Sequence, residues 1–338
     1  MEIARAVTNA RESAESVRML TLFTTAKAFE GHFAVIQYNA LRSWKLLGRD
    51  VEIILFGEDG GSAEAAKELG LRHEAKVAKN EQGTNLVNYM FEKAQEIAKH
   101  ELVCYVNCDI VLTSEFRAAA MRLRPWGQRF LMVGRRWDVE ITEPLDFTQS
   151  DWEERVTQHA KTRGFQRLYY NIDYFLFTKG LYKEIPPFAI GRLMWDNWLV
   201  WKAHEMGAPV VDASAAVCAV HQNHDYSHHA QGTQGVWDGA EASGNIEMGG
   251  GLSHRRTIED STYRMTASGE IEKNRWYWLA PGKRRARSAK RAVAGWIRTK
   301  MWHPVLDATR SARHAMGLKK EAMPKALRRK VKRHWQDV

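Results

Sequence analysis

The chain has 338 residues, 44% of them hydrophobic and 27% charged, with a formal net charge of +10. That length can bury a full core, as one large α/β domain with appendages or as two domains. No apolar run approaches the roughly 20 residues of a membrane-spanning helix. Three cysteines, Cys104, Cys108 and Cys218, are too few for a disulfide framework, and Met1 to Arg18 lacks the apolar centre of a signal peptide, so a cytoplasmic protein is expected. The charge is unevenly spread: from Pro281 to Val338 there are 18 Lys and Arg against 3 Asp and Glu. The body before it is mildly acidic, and the basicity belongs to a tail.

In chain order, Met19 to Thr25 predicts a first strand and Phe33 to Leu47, with Val35, Ile36, Leu41, Trp44 and Leu47 at helical spacing, a helix closed by Gly48. Val51 to Phe56 predicts a second strand, and Ser62 to Leu69 a helix with Ser as cap, ended by Gly70. A helix over Thr84 to Lys99 leads to the run Leu102 to Leu112, whose apolar and β-branched residues suit a strand buried on both faces. Asn107 and Asp109 interrupt that run. Spaced i and i+2, they face one side of an extended segment, at the strand end where open α/β sheets bind ligands. A polar turn closing a strand has the same composition.

Ser114 to Leu123 predicts a helix, Phe130 to Gly134 a short strand, and Glu153 to Arg163 a helix. Asp173 to Thr178 predicts a strand, and the tandem prolines in Ile185 to Arg192 require a loop. Trp195 opens a helix to Met206, closed by Gly207; Val210 to Val220 predicts a late strand, followed by His221, His224, His228 and His229. Ala230 to Gly251 is rich in Gly, Gln, Ser and Asn and predicts a loop. Leu252 to Leu279 is expected to pack back on the body through Trp276 and Trp278. The alternation of strand and helix argues for a doubly wound, mostly parallel sheet. A dinucleotide fold would need Gly-x-Gly-x-x-Gly after the first strand, where Thr24, Thr25, Ala26 and Lys27 stand instead. Nor is there a Gly-x-x-x-x-Gly-Lys-Ser/Thr loop.

Asn107-Cys-Asp109 resembles the Asp-x-Asp motif of GT-A glycosyltransferases. With the order Asp173-Tyr-Phe, Pro187-Phe, Gly191-Arg, Trp195-Asp-Asn-Trp198 and His221-Gln-Asn-His-Asp-Tyr226, the chain resembles bacterial glycosyltransferase-like proteins of the nucleotide-diphospho-sugar transferase superfamily over about Met19 to His229. The resemblance implies a GT-A (Rossmann-like) sheet flanked by helices over 1–280, with a donor half at about 19–135 and an acceptor half at 136–280. It implies a hexosyltransferase-like activity that moves sugar from a nucleotide-sugar to a glycan or lipid-linked acceptor, assisted by Mn or Mg. Thr24, Thr25, Glu58, Asn107 and Asp109 would meet the donor, and Arg192, Trp195 and Asn197 the acceptor. Asp109 and Asn107 would serve the metal, with His221 first and His224 second as further ligands. Asp196 would be the general base, a role that suits a carboxylate; a helix cap is its alternative. Cys218 with the histidines could suggest zinc, but no second ligand pair at zinc spacing stands out.

The tail, 281–338, predicts basic amphipathic helices: Ala289, Val293, Trp296, Ile297 and Met301 share a face, and Lys325 to Trp335 repeats the mixture. Such helices suit an anionic membrane surface, which would place the protein peripherally on the inner face of the membrane. Nucleic acid is the rival partner. Two other functions compete with sugar transfer. A sugar nucleotidyltransferase shares the fold but normally has a Gly-rich phosphate loop; a catalytically silent carbohydrate- or nucleic-acid-binding protein would turn nothing over.

Overall fold

The apolar run after residue 19 forms β1 (Leu20–Thr25), buried along its length inside a nine-stranded sheet, third from one edge. The computed structural model describes residues 20–224, 239–279 and 282; the basic tail and residues 225–238, with His228 and His229, lie outside them. After β1 come α1 (Gly31–Lys45), β2 (Val51–Phe56), α2 (Ser62–Leu69), β3 (Arg72–Glu74), α3 (Val87–Ile97) and β4 (Leu102–Val106). β2 and β4 flank β1 in parallel, and β3 extends the sheet beyond β2. On the other side of β4 lie β9 (Tyr174–Thr178), β6 (Leu131–Val133), β10 (Val210–Asp212), β12 (Tyr263–Met265) and β13 (Ile271–Lys273). Among these nine strands, β9 and β13 run against the rest. The sheet is mostly parallel and flanked by helices, the α/β architecture expected.

Side-chain alternation divides the core in two. Leu20, Leu22, Leu102 and Cys104 pack under α1, α2 and α4 (Ser114–Leu123), whereas Phe23, Val103 and Tyr105 pack under α3 and α6 (Trp195–Glu205). Gly70 (φ 63°) and Gly207 (φ 68°) stop α2 and α6 in left-handed backbone, where a side chain would be strained. A second, four-stranded sheet joins β5 (Ile110–Val111), β11 (Ala219–Gln222), β7 (Arg136–Val139) and β8 (Phe165–Gln166). It packs its apolar face on α5 (Trp152–Arg163) through Val111, Val139, Val220, Val156 and Ala160.

Several expectations are corrected. The run Leu102 to Leu112 is two strands in two sheets, because Asn107-Cys108-Asp109 makes a turn closed by the Ile110 N–H on the Asn107 carbonyl (3.1 Å). Val210 to Val220 also divides: Asp212 Oδ1 accepts the Ser214 N–H (2.9 Å), a side-chain turn that ends β10 before β11 begins. Ser62 does not cap α2; Gly61 holds that position and no side chain bonds there. The loop expected over Ala230 to Gly251 contains α7 (Ala240–Met248). Trp276 and Trp278 are 63% and 53% exposed, and the return to the body is made instead by Ile258, Tyr263 and Met265. No helix among the described residues is long and apolar enough to cross a membrane, and Cys104, Cys108 and Cys218 are buried free thiols.

Candidate active site

A cleft of about 420 Å³ opens at the carboxyl ends of β1 and β4. Thr25 borders it from β1, Asn107, Cys108 and Asp109 from the turn after β4, Arg136 from β7, and His221 from β11. Asp196 and Asn197 reach it from the first turn of α6.

Sheet register brings the cluster together. β11 runs antiparallel to β5 with His221 opposite Ile110, so the ring stands beside the residue that precedes β5, Asp109. Gln222, fully buried, fixes the approach: its backbone N–H and its Nε2 both donate to the Asp109 carbonyl (3.2 and 3.1 Å), and its Oε1 accepts from Asn39. Asp109 Oδ2 lies 3.0 Å from His224 Nε2 and 3.5 Å from His221 Nε2. One ligand atom from each of Asp109, His221 and His224 falls within 4.8 Å of the others. Asp109 Oδ1 is buried and has no hydrogen-bond partner among the described residues.

The electrostatics follow from this packing. Burial disfavours the Asp109 carboxylate, but the two imidazoles beside it outweigh burial and hold its pKa well below the usual range. His221 is the complement: burial lowers its pKa, the Asp109 charge overcomes that, and the ring is pushed up to about 9. A cation bound there would replace that proton as the partner of Asp109.

Asn107 sits beside the cluster with both ends of its amide engaged. Tyr105 Oη donates to Oδ1 (2.9 Å), and Nδ2 donates to Asp173 Oδ1 (2.6 Å). To serve as a ligand its oxygen would have to share with the tyrosine.

Asp196 owes its place to its neighbours. Trp195, Trp198, Leu199 and Ala203 form the buried stripe of α6. Trp195 stands edge-on to Tyr105, with ring centroids 5.4 Å apart, and near Phe175 at 5.5 Å; each such aromatic pair contributes roughly 0.5–1.5 kcal/mol. With that stripe anchored, Asp196 faces the cleft. Its Oδ1 accepts the Asn197 backbone N–H (2.8 Å), so it also satisfies one open donor of a helix that has no side-chain cap. Surrounding protein raises its pKa to about 6 by withholding solvent from the charged form. The residue before the helix, Met194, is buried with φ 98°, a strained conformation for a side chain of its size.

The other expected residues are divided between the cleft and its surroundings. Thr25 lines the cleft and accepts from Asn85 Nδ2 (3.0 Å). Thr24 does not line it: it shares the sheet face of Leu20 and Leu22 and is fully buried. Glu58 is also outside the lining, its side chain 70% exposed and paired with Lys79 at 3.0 Å, and Asp59 is the carboxylate at that rim. Asn197 lines the cleft, buried, and accepts from Arg255 Nε (2.6 Å). Arg192 borders it and pairs with Glu241 of α7 (2.7 Å). Trp195 borders the cleft but is only 5% exposed, packed against Tyr105 and Phe175. Cys218 is not in the cluster; its thiol is buried, and burial pushes its pKa up to about 11. Asp138, Asp173, Arg136 and Gln222, absent from the expectations, surround the ligating groups.

No model of a known protein family matches the chain, and no curated protein matches it in sequence. Among solved structures, glucosyl-3-phosphoglycerate synthase from Mycobacterium tuberculosis is similar at 12% identity and TM-score 0.42, over 70% of this chain and 81% of that one. The same protein in complex with Mg2+ and uridine-diphosphate is similar at 12% identity and TM-score 0.40, over 63% and 74%. S. aureus TarS in complex with UDP-GlcNAc is similar at 13% identity and TM-score 0.42, over 62% and 60%.

Proposed function

We propose that this protein is a GT-A-type glycosyltransferase that moves a sugar from a nucleotide-diphosphate-sugar to a glycan or lipid-linked acceptor, assisted by a divalent metal. The observation that carries the reading is the convergence of Asp109, His221 and His224 in one cleft with Asp196, at the strand ends of a mostly parallel sheet. The donor set fits a divalent cation: an ionised carboxylate whose Oδ1 is buried without a hydrogen-bond partner, and two imidazoles that converge on its Oδ2. Two nitrogen donors with one carboxylate suit Mn2+ better than Mg2+. A cation held there would act as a Lewis acid toward the leaving nucleoside diphosphate.

The chain's own groups supply the rest. Thr25, Asn85 and Asp59 bound the donor end of the cleft, and Arg192 and Asn197 the acceptor end. Asp196 takes the proton of the acceptor hydroxyl; a pKa of about 6 leaves it largely ionised at neutral pH and more basic than an exposed aspartate. A base in this role implies inversion at the anomeric carbon. On the same reading, the basic segment 281–338 holds the enzyme against an anionic membrane surface, within reach of lipid-linked acceptors.

The test is a thermal-shift screen of nucleotide-sugars with and without Mn2+, on wild type and Asp109→Ala. A donor present at a hundred times its Kd stabilises by about 2.7 kcal/mol, a rise of roughly 5–10 °C in a body of this size. The rise is expected only with Mn2+ and only in wild type. A donor that stabilises Asp109→Ala equally, or no stabilising donor at all, refutes the assignment.

A further inference from the structure

We propose that Asp138 is a positioning residue for His221: it determines which ring nitrogen faces the cation. The inference rests on the metal-dependent reading above. In the parallel pairing of β7 with β11, Asp138 is the direct partner of His221. Directly paired residues project to the same face of a sheet, and here the two side chains meet. His221 Nδ1 lies 3.4 Å from Asp138 Oδ1, while Nε2, across the ring, lies 3.5 Å from Asp109 Oδ2. Nδ1 is buried and has no hydrogen-bond partner of good geometry among the described residues, so the Asp138 carboxylate is the acceptor at hand. An imidazole that keeps its proton on Nδ1 presents the lone pair of Nε2, the form that ligates.

Asp138 is itself held in place. Arg136 Nε donates to its Oδ1 (2.8 Å), and Arg167 Nε donates to its Oδ2. Arg136 Nη1 reaches both oxygens of Asp173 at 2.7 Å, and Asp173 in turn accepts from Asn107. One buried guanidinium therefore ties the carboxylate behind His221 to the turn that carries Asp109. A charge-assisted network of this kind fixes direction as well as distance. It gives Asp138 two separable duties, ion pairing with arginines and orientation of the ring, and Arg167 allows them to be told apart because it touches the first and not the second.

The experiment titrates the full chain with Mn2+ alone and reads the electron paramagnetic resonance signal of the free ion, for wild type, Asp138→Ala, Arg167→Gln and Asp109→Ala. Asp138→Ala is expected to weaken Mn2+ binding by about ten- to hundredfold, the usual cost of losing such a partner. Arg167→Gln removes a half-exposed ion pair from the same carboxylate and is expected to stay within about fivefold of wild type. Wild-type affinity in Asp138→Ala overturns the inference. So do equal losses in Asp138→Ala and Arg167→Gln, which would make Asp138 a member of the ion-pair network and nothing more. If wild type binds no Mn2+, or Asp109→Ala binds it as wild type does, the metal-dependent reading fails and this inference with it. Melting without metal establishes that each variant is folded. Should Asp138→Ala fail to fold, Asp138→Asn replaces it with the same expected loss, since an amide can turn its N–H to Nδ1 and hold the wrong tautomer.

Discussion

Replacing Asp196 by Asn should make the protein more stable and nearly inactive at once. The carboxyl pKa rises from the ordinary 3.8 to about 6, chiefly through burial. At about 1.4 kcal/mol per unit this shift corresponds to ~3 kcal/mol, and the contact of the side chain with the open cleft trims it to about 2–3 kcal/mol. Because the folded-state value lies above the unfolded one, the carboxylic acid form favours folding and the carboxylate opposes it. The favourable contribution is whole below pH 3.8, is lost as pH rises toward 6, and is gone above that. Asn keeps the shape and still accepts the Asn197 N–H, without a charge to desolvate. Urea unfolding of both proteins should therefore show a gap in favour of the variant of about 2–3 kcal/mol at pH 8, shrinking to roughly a third of that at pH 4.5. In the same variant turnover should fall about a hundred- to ten-thousandfold with donor affinity retained. A stability gap that does not change with pH would refute the burial argument. Normal turnover would return Asp196 to its other role, satisfying the first turn of a helix.

Two further outcomes are expected. Asn245 is fully buried on α7 and spans to the loop before α6, accepting the Ala189 N–H (2.9 Å) and donating to the carbonyls of Ala189 (2.9 Å) and Leu193 (3.2 Å); Asn245→Ala should cost roughly 2–4 kcal/mol in urea unfolding, because it strands buried backbone groups beside the strained Met194. A chain ending at Gly282 should keep the melting temperature of the full chain and lose flotation with anionic liposomes, and equal flotation of the two would remove the membrane from the proposal.

The parts of the fold legible in the sequence are those whose signals are local. Val51–Phe56 and Ser114–Leu123 coincide with β2 and α4, because a full apolar strand and a complete amphipathic turn pattern need no partner to be recognised. β3, β8 and β13 were not legible: Arg72–Glu74, Phe165–Gln166 and Ile271–Lys273 are two or three residues each, largely polar, and are strands because a neighbour offers them hydrogen bonds. The reversal of β9 has no sequence signature either. Leu102 to Leu112 and Val210 to Val220 read as single strands because nothing in an apolar run announces a change of sheet. What breaks them is a side chain or a turn acting on the backbone, as Asp212 does at Ser214.

The site divides along the same line. Asp109 could be chosen from sequence because it interrupts an apolar run, and Asp196, His221 and His224 through the resemblance of the motifs that hold them. Asp138 and Gln222 could not be chosen that way, since their importance depends on β7 lying beside β11 and on β11 lying beside β5. Yet Asp138 carried a different signal. It stands between Trp137 and Val139 in a strand that buries it to 8% exposure, and a buried carboxylate has to be paired. The basic residues just before it, Arg135 and Arg136, supply one such partner within two residues. Arg136 is that partner, whereas Arg135 turns to the backbone, donating from Nε to the Arg167 carbonyl. In the fold Arg136 also reaches Asp173, so that one guanidinium joins the support of His221 to the strand end from which Asp109 emerges. A charged residue inside a short buried strand is therefore evidence of a site even when its partner lies in a part of the chain that no local pattern can locate.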